Sequence, residues 1–125
     1  MIFPAQGDVV AIDAEPHSGA EYGGHDQTNG NIRRHMVVMS SSAYNQATGL
    51  ILAMPITTVE KYRNNGHYMP ILISGNHDTG VKGYVVLWQL QNFDYASRNG
   101  RVVNRVSTQF FNRLTPFVHD MLGLK

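Results

Sequence analysis

Through the middle of the chain, apolar positions fall in short β-branched runs cut by Gly, Asn and Pro, the pattern of a small all-β barrel or sandwich. Five or six strands are predicted, over residues 8–13, 35–41, 50–57, 68–74, 84–90 with a continuation to 95, and 101–106. Thr48-Gly49, Asn64-Asn65-Gly66 and Asn99-Gly100 punctuate them, because Gly and Asn accept the positive φ of tight turns. Asn99-Gly100 reads as a hairpin. Pro55 and Pro70 lack the N–H that a ladder needs, so each is expected at an edge, a bulge or a strand end.

From Ser107 the period changes. Phe110, Phe111, Leu114, Phe117, Val118, Met121 and Leu122 recur at three and four, which is one face of a helix and predicts a stripe packed into the core. Ser107 or Thr108 suits its N-cap and Gly123 its end. Thr115-Pro116 places a good N-cap before a proline, so a kink or a second short helix is expected there. Trp88, the one tryptophan, shares a period-two face with Tyr84, Val86 and Leu90. Both faces of that run are largely apolar, which predicts a central strand and a ring buried in the core or an interface, with base stacking as the alternative.

Composition narrows the class. At 125 residues the chain is the size of one domain spanning 1–125, and 42% hydrophobic against 15% charged residues can fill a core. A net charge of +1 disfavours broad nonspecific nucleic-acid coating and makes any basic groove local. The absence of cysteine removes disulfides, thiol catalysis and Cys-based zinc sites, and fits a reducing cytosol. The opening residues carry no cationic stretch before Asp8, and no apolar run approaches ~18 residues, so a cytoplasmic protein without membrane span or signal peptide is expected.

One stretch does not suit a compact barrel. Residues 14–34 form a 21-residue polar segment with glycines at 19, 23, 24 and 30. Loops beyond ~12–15 residues are usually functional or disordered. This one concentrates Glu15, His17, Glu21, His25, Asp26, Arg33 and Arg34 between the first two strands.

An ordered series of motifs gives a family resemblance. Gly7-Asp8, Asp13, Pro16, Gly19, Glu21 and Arg34 followed by Val37-Val38-Met39-Ser40 resemble the opening of the MazF/PemK toxins of toxin-antitoxin pairs. Tyr44-Asn45, Thr48-Gly49, Pro55, Thr57-Thr58, Ser74-Gly75, and Gln89 followed by Phe93-Asp94 continue the likeness over nearly the whole chain. The resemblance implies an SH3-like barrel with a C-terminal helix, in the manner of PemK, MazF and CcdB. It also implies a homodimer, a metal-independent endoribonuclease (an mRNA interferase) acting on single-stranded RNA without a cofactor, and a cognate acidic antitoxin that fills the RNA groove. Two departures stand out: an inserted stretch, mostly 26–33, separates Glu21 from Arg34, and Val86 and Trp88 stand where PemK-type members carry an Arg-x-Asp pair.

RNA transesterification needs a proton removed from the 2′-OH, charge stabilised on a phosphorane, and a proton for the departing 5′-oxygen. A guanidinium meets two phosphate oxygens at once and keeps its charge. By resemblance Arg34 has that role, Thr57 supplies a hydroxyl to the phosphate or the 2′-OH, and Glu21 is the general base. Taken alone, Arg34 would read as a solvated surface residue and Thr57 as an ordinary strand-end threonine. Gly19, His25, Arg33, His35, Ser40, Trp88 and Gln89 are the expected substrate contacts. His25 and His35, with His17, are also candidates for the proton that the missing Asp cannot supply, imidazole titrating near ~6.5. The six histidines show no HxH or HExxH spacing, so no metal site is expected. Two rival classes share the barrel. One is a gyrase poison of CcdB type, disfavoured because the chain ends Leu122-Gly123-Leu124-Lys125 without a tryptophan. The other is a non-catalytic member that only binds RNA or antitoxin.

Overall fold

The computed structural model describes residues 2–14 and 33–124. Its strands are β1 (Asp8–Asp13), β2 (Arg33–Val38), β3 (Leu50–Thr57), β4 (Tyr68–Ile73), β5 (Val81–Val86), β6 (Gln91–Asp94) and β7 (Arg101–Arg105). A helix α1 (Ser42–Thr48) precedes β3, a 3-10 turn (Glu60–Tyr62) follows it, and helix α2 (Thr108–Leu122) ends the chain. The strands form one curled antiparallel sheet in the order β4-β5-β3-β2-β1-β7, with β6 paired to β3 beside that path. The fold is mainly β with a C-terminal helix, as expected, and its sheet is curled as a half-barrel.

There are seven described strands rather than five or six, and the reason lies in β3. Along one edge β3 meets β2. Its other edge meets β6 over Leu50–Ala53 and β5 only at Ile56 and Thr57. The segment expected as one long strand from residue 84 therefore has to travel from one end of β3 to the other, and it breaks at a Leu87-Trp88 turn. Pro55 sits at the changeover. The Leu52 carbonyl accepts from Met39 across β2, so alternation points Pro55 at the gap between β5 and β6, where no N–H is required. Pro70 lies on β4, the outer strand, as its missing donor demands.

The period-two pattern sorts the side chains into two cores. Val9, Ala11, Val37, Met54, Ile56, Val85 and Leu114 pack on the face covered by α2, whereas Val10, Ile12, Met36, Val38, Ile51, Ala53, Phe93 and Tyr95 pack on the other. Helix α2 starts at the Ser107 cap, whose hydroxyl accepts from the Phe110 amide, and ends at Gly123 in the left-handed conformation with φ 71. Of the two options expected at Thr115-Pro116, the second short helix does not form: α2 is a single helix with Pro116 inside it. Proline cannot donate to the Asn112 carbonyl one turn back, and the Thr115 hydroxyl donates to that oxygen instead at 3.2 Å. The stripe is also less buried than its spacing predicts. Leu114 is fully buried, the phenylalanines and Val118 are partly covered, and Met121 and Leu122 are exposed.

Two turns carry more than expected. Thr48-Gly49 closes α1, a helix too short to show as a period in sequence, with Gly49 at φ 73 donating to Asn45 O. Asn99 adopts φ 54 as predicted, but the strands that flank it do not form a hairpin: β6 pairs with β3 and β7 with β1.

Candidate active site

Arg34 alternates with Met36 and so points to the face opposite α2. The β2–β3 pairing ends at Met36↔Pro55; two residues beyond it on each strand, alternation returns Arg34 and Thr57 to the face that this pair shares, and Thr57 pairs with Tyr84 on β5. Directly paired residues share a face of the sheet. Arg34, Thr57 and Tyr84 therefore form one row across three strands. Arg34 is buried, and its Nη1 donates to Ile56 O at 2.9 Å, which fixes the direction of the guanidinium. Thr57 is 2% exposed and its Oγ1 accepts from the Val59 amide at 3.4 Å, an arrangement that leaves the hydroxyl proton to be donated.

Row closure depends on a glycine. A Cβ on Gly83 would stand 2.4 Å from Thr57 O, so only glycine lets β5 come this close to the end of β3. A cleft of about 510 Å³ beside Gly83, at the Tyr84 end of the row, is lined by Thr58, Glu60, Pro70, Lys82 and Tyr84, among others. Lys82 lies two residues before Tyr84 on β5 and so shares its face. The 3-10 turn reaches the Tyr84 end of the row, where the Tyr84 hydroxyl donates to Glu60 Oε2 at 3.1 Å. Burial first, then the hydrogen bond and negative charge of Glu60, raise the Tyr84 phenol above its ordinary pKa, so it stays protonated at neutral pH.

Beside the cleft is an aromatic step. Tyr62 stacks on Tyr68 at 3.8 Å between ring centroids, and Trp88 meets Tyr68 edge-on at 6.5 Å. Trp88 is 43% exposed in the single chain, because it belongs to the turn after β5; the expectation of a central strand with the ring in the core of the chain is corrected. Gln89 follows in the same turn and accepts from Gln91 Nε2 at 2.7 Å.

Other expected contacts lie elsewhere. Arg33 and His35 flank Arg34 and by alternation face the opposite side of β2. Arg33 is tied to Asp13 at 2.9 Å and to the Ala11 and Asn99 carbonyls, a knot that fixes the strand ends. His35 is half-buried, and desolvation, then Arg101 and Arg33, lower its pKa, favouring neutral imidazole. Ser40 is buried with its hydroxyl donating to Asn45 Oδ1 and accepting from the Leu52 amide, where it holds α1 to β3. Glu21, Gly19, His17 and His25 lie outside the described residues. Among the described residues no three His, Asp or Glu side chains gather as a metal-binding cluster, and no helix is long and apolar enough to cross a membrane.

Sequence reasoning did not find Glu60, Lys82 or Tyr84. Tyr84 was visible as a strand residue, but its partnership with Thr57 depends on a strand register that no local pattern encodes.

Known proteins share this fold. The endoribonuclease toxin MazF of Escherichia coli (strain K12) is 35% identical over 78 residues, which cover 62% of this chain and 60% of that protein. The matched segment thus spans less than two thirds of that relative. The crystal structure of MazF from Deinococcus radiodurans superposes with a TM-score of 0.75 at 25% identity, covering 98% of each chain. The MazE-MazF complex from the same organism gives 0.74 at 24% identity, again covering 98% of each. Residues 5–122 match the family described as PemK-like, MazF-like toxin of type II toxin-antitoxin system, and the chain belongs to that family.

Proposed function

We propose that this chain is the toxin of a toxin-antitoxin pair and a metal-independent endoribonuclease that cuts single-stranded RNA by 2′-OH transesterification. The observation that carries the reading is that Arg34 and Thr57 share one face of the sheet, with the Arg34 guanidinium bonded to the carbonyl of Ile56 next to Thr57. A fixed guanidinium in a partly desolvated site stabilises the extra negative charge of a phosphorane more strongly than it could in water. Thr57 donates to a second phosphate oxygen, and Lys82 adds a cation along the same face. Removal of the 2′-OH proton requires an acceptor. The family resemblance offers Glu21 for this, and the described face offers Glu60.

Trp88 and Gln89 stand at the rim, where the half-exposed indole gives a base a surface to stack on. Trp88→Ala is expected to weaken RNA binding by about 1–3 kcal/mol and to shift the melting temperature little. A large loss of stability with unchanged RNA affinity would return the ring to a structural role. The cations Arg34 and Lys82 also suit an acidic antitoxin segment, and the exposed Met121 and Leu122 of α2 suit a second copy of the chain in a cytoplasmic homodimer.

The reading is tested with an RNA oligomer carrying a single 2′-deoxy group at the scissile nucleotide. It should bind almost as the all-ribo oligomer does and resist cleavage, since only the nucleophile is missing. Cutting of the deoxy oligomer would contradict transesterification.

A further inference from the structure

We propose that Glu60 is the general base of the reaction and that Tyr84 is the positioning residue that aims it, because the Tyr84 hydroxyl, on the Arg34–Thr57–Tyr84 row, donates to Glu60 Oε2 at 3.1 Å within the cleft. The proposal rests on the endoribonuclease reading above and names the proton acceptor which that reading requires.

The chain supplies this carboxylate by an unusual route. Glu60 comes from a three-residue 3-10 turn with no side-chain cap, a weak element that would not by itself hold a functional group in place. Two contacts to the sheet hold it. The Tyr84 hydroxyl fixes the carboxylate, and the ring of Tyr62, two residues on, stacks on Tyr68 of β4. A tyrosine rooted in a buried strand is a better positioning device than a surface side chain because its ring has few rotamers. Glu60 itself is exposed, so a substrate hydroxyl can reach it. The Tyr84 phenol is bonded to it, Lys82 of β5 lines the same cleft, and Arg63 follows at the end of its own turn, where its charge reaches Tyr84.

In the step, the Glu60 carboxylate takes the proton of the 2′-OH, and the 2′-oxygen forms its bond to phosphorus against charge held by Arg34 and Thr57. The bond from phosphorus to the 5′-oxygen then breaks, and that oxygen takes a proton from water. The products are a 2′,3′-cyclic phosphate and a 5′-hydroxyl, and Tyr84 keeps its proton throughout.

The test compares full-length wild type, Glu60→Gln, Glu60→Asp, Tyr84→Phe and Glu21→Gln on one single-stranded RNA, recording kcat and KM across pH, with thermal melts of each. Glu60→Gln is expected to lose about 10²-fold in kcat at nearly unchanged KM and to lose the acid-side fall in rate that an ionised base imposes. Glu60→Asp keeps a carboxylate and should retain an intermediate rate. Tyr84→Phe should lower kcat severalfold at nearly unchanged KM while keeping the acid-side fall, a combination that a merely structural tyrosine would not give. Glu60→Gln cutting at the wild-type rate with its acid limb in place, or Glu21→Gln alone losing that limb, overturns the proposal and leaves the endoribonuclease reading standing. Wild type that does not cut overturns both.

Discussion

Arg34→Ala is expected to lower the rate of RNA cleavage by about 10²–10³-fold, the cost of removing one preorganised charge donor from a developing oxyanion. The effect should fall on kcat, since the phosphorane carries more charge than the bound phosphodiester. Ile56 O loses the Nη1 donor in this variant, at a cost of about 1–3 kcal/mol, so the assay belongs well below the melting temperature. Arg34→Lys should recover only a small part of the rate, because a point charge cannot make the forked contact with two oxygens. Arg33 is no substitute: it faces the other side of β2 and is bound to Asp13. A folded Arg34→Ala protein that cuts RNA at the wild-type rate would remove the guanidinium from the mechanism.

Gly83→Ala is the second large effect, and it acts through the backbone. The added methyl would lie 2.4 Å from Thr57 O and 3.0 Å from Ile56 Cγ2, distances at which one strand must move. The carbonyl cannot swing away like a flexible side chain. We expect a loss of about 3 kcal/mol, read as a lower urea midpoint with little change in slope. Because the displaced strand end carries Thr57 beside Arg34, cleavage should fall further than the unfolded fraction accounts for. A midpoint equal to wild type would show that β5 tolerates the methyl, and the closeness of β3 and β5 would then not be what builds the row.

Much of this was legible in the sequence, for identifiable reasons. Strand positions follow from β-branched runs, and the caps of α2 from Ser107 and Gly123, because both signals are local. Arg34 and Thr57 emerged from the ordered motifs of a family, not from their own chemistry, and alternation along β2 and β3 puts both on one face of the sheet. Local reading failed where two distant segments meet. The break at Trp88 follows from β3 having different partners at its two ends, and the Tyr84–Glu60 contact from a turn that folds back over its own sheet. The second short helix expected as one option at Pro116 fails for a smaller reason: the Thr115 hydroxyl supplies the donor that proline lacks. His35 shows the opposite failure. Next to Arg34 in sequence, it is on the other face in space, since neighbours in a strand alternate.

The most direct measurement is an end analysis of a long mixed-sequence single-stranded RNA incubated with the wild-type protein in excess EDTA. The mechanism built on Arg34, Thr57 and a carboxylate predicts cleavage under these conditions, with 2′,3′-cyclic phosphate on one side of each cut and 5′-hydroxyl on the other. Intact RNA in EDTA that is cut once magnesium is restored, or fragments bearing 5′-phosphates, would contradict it.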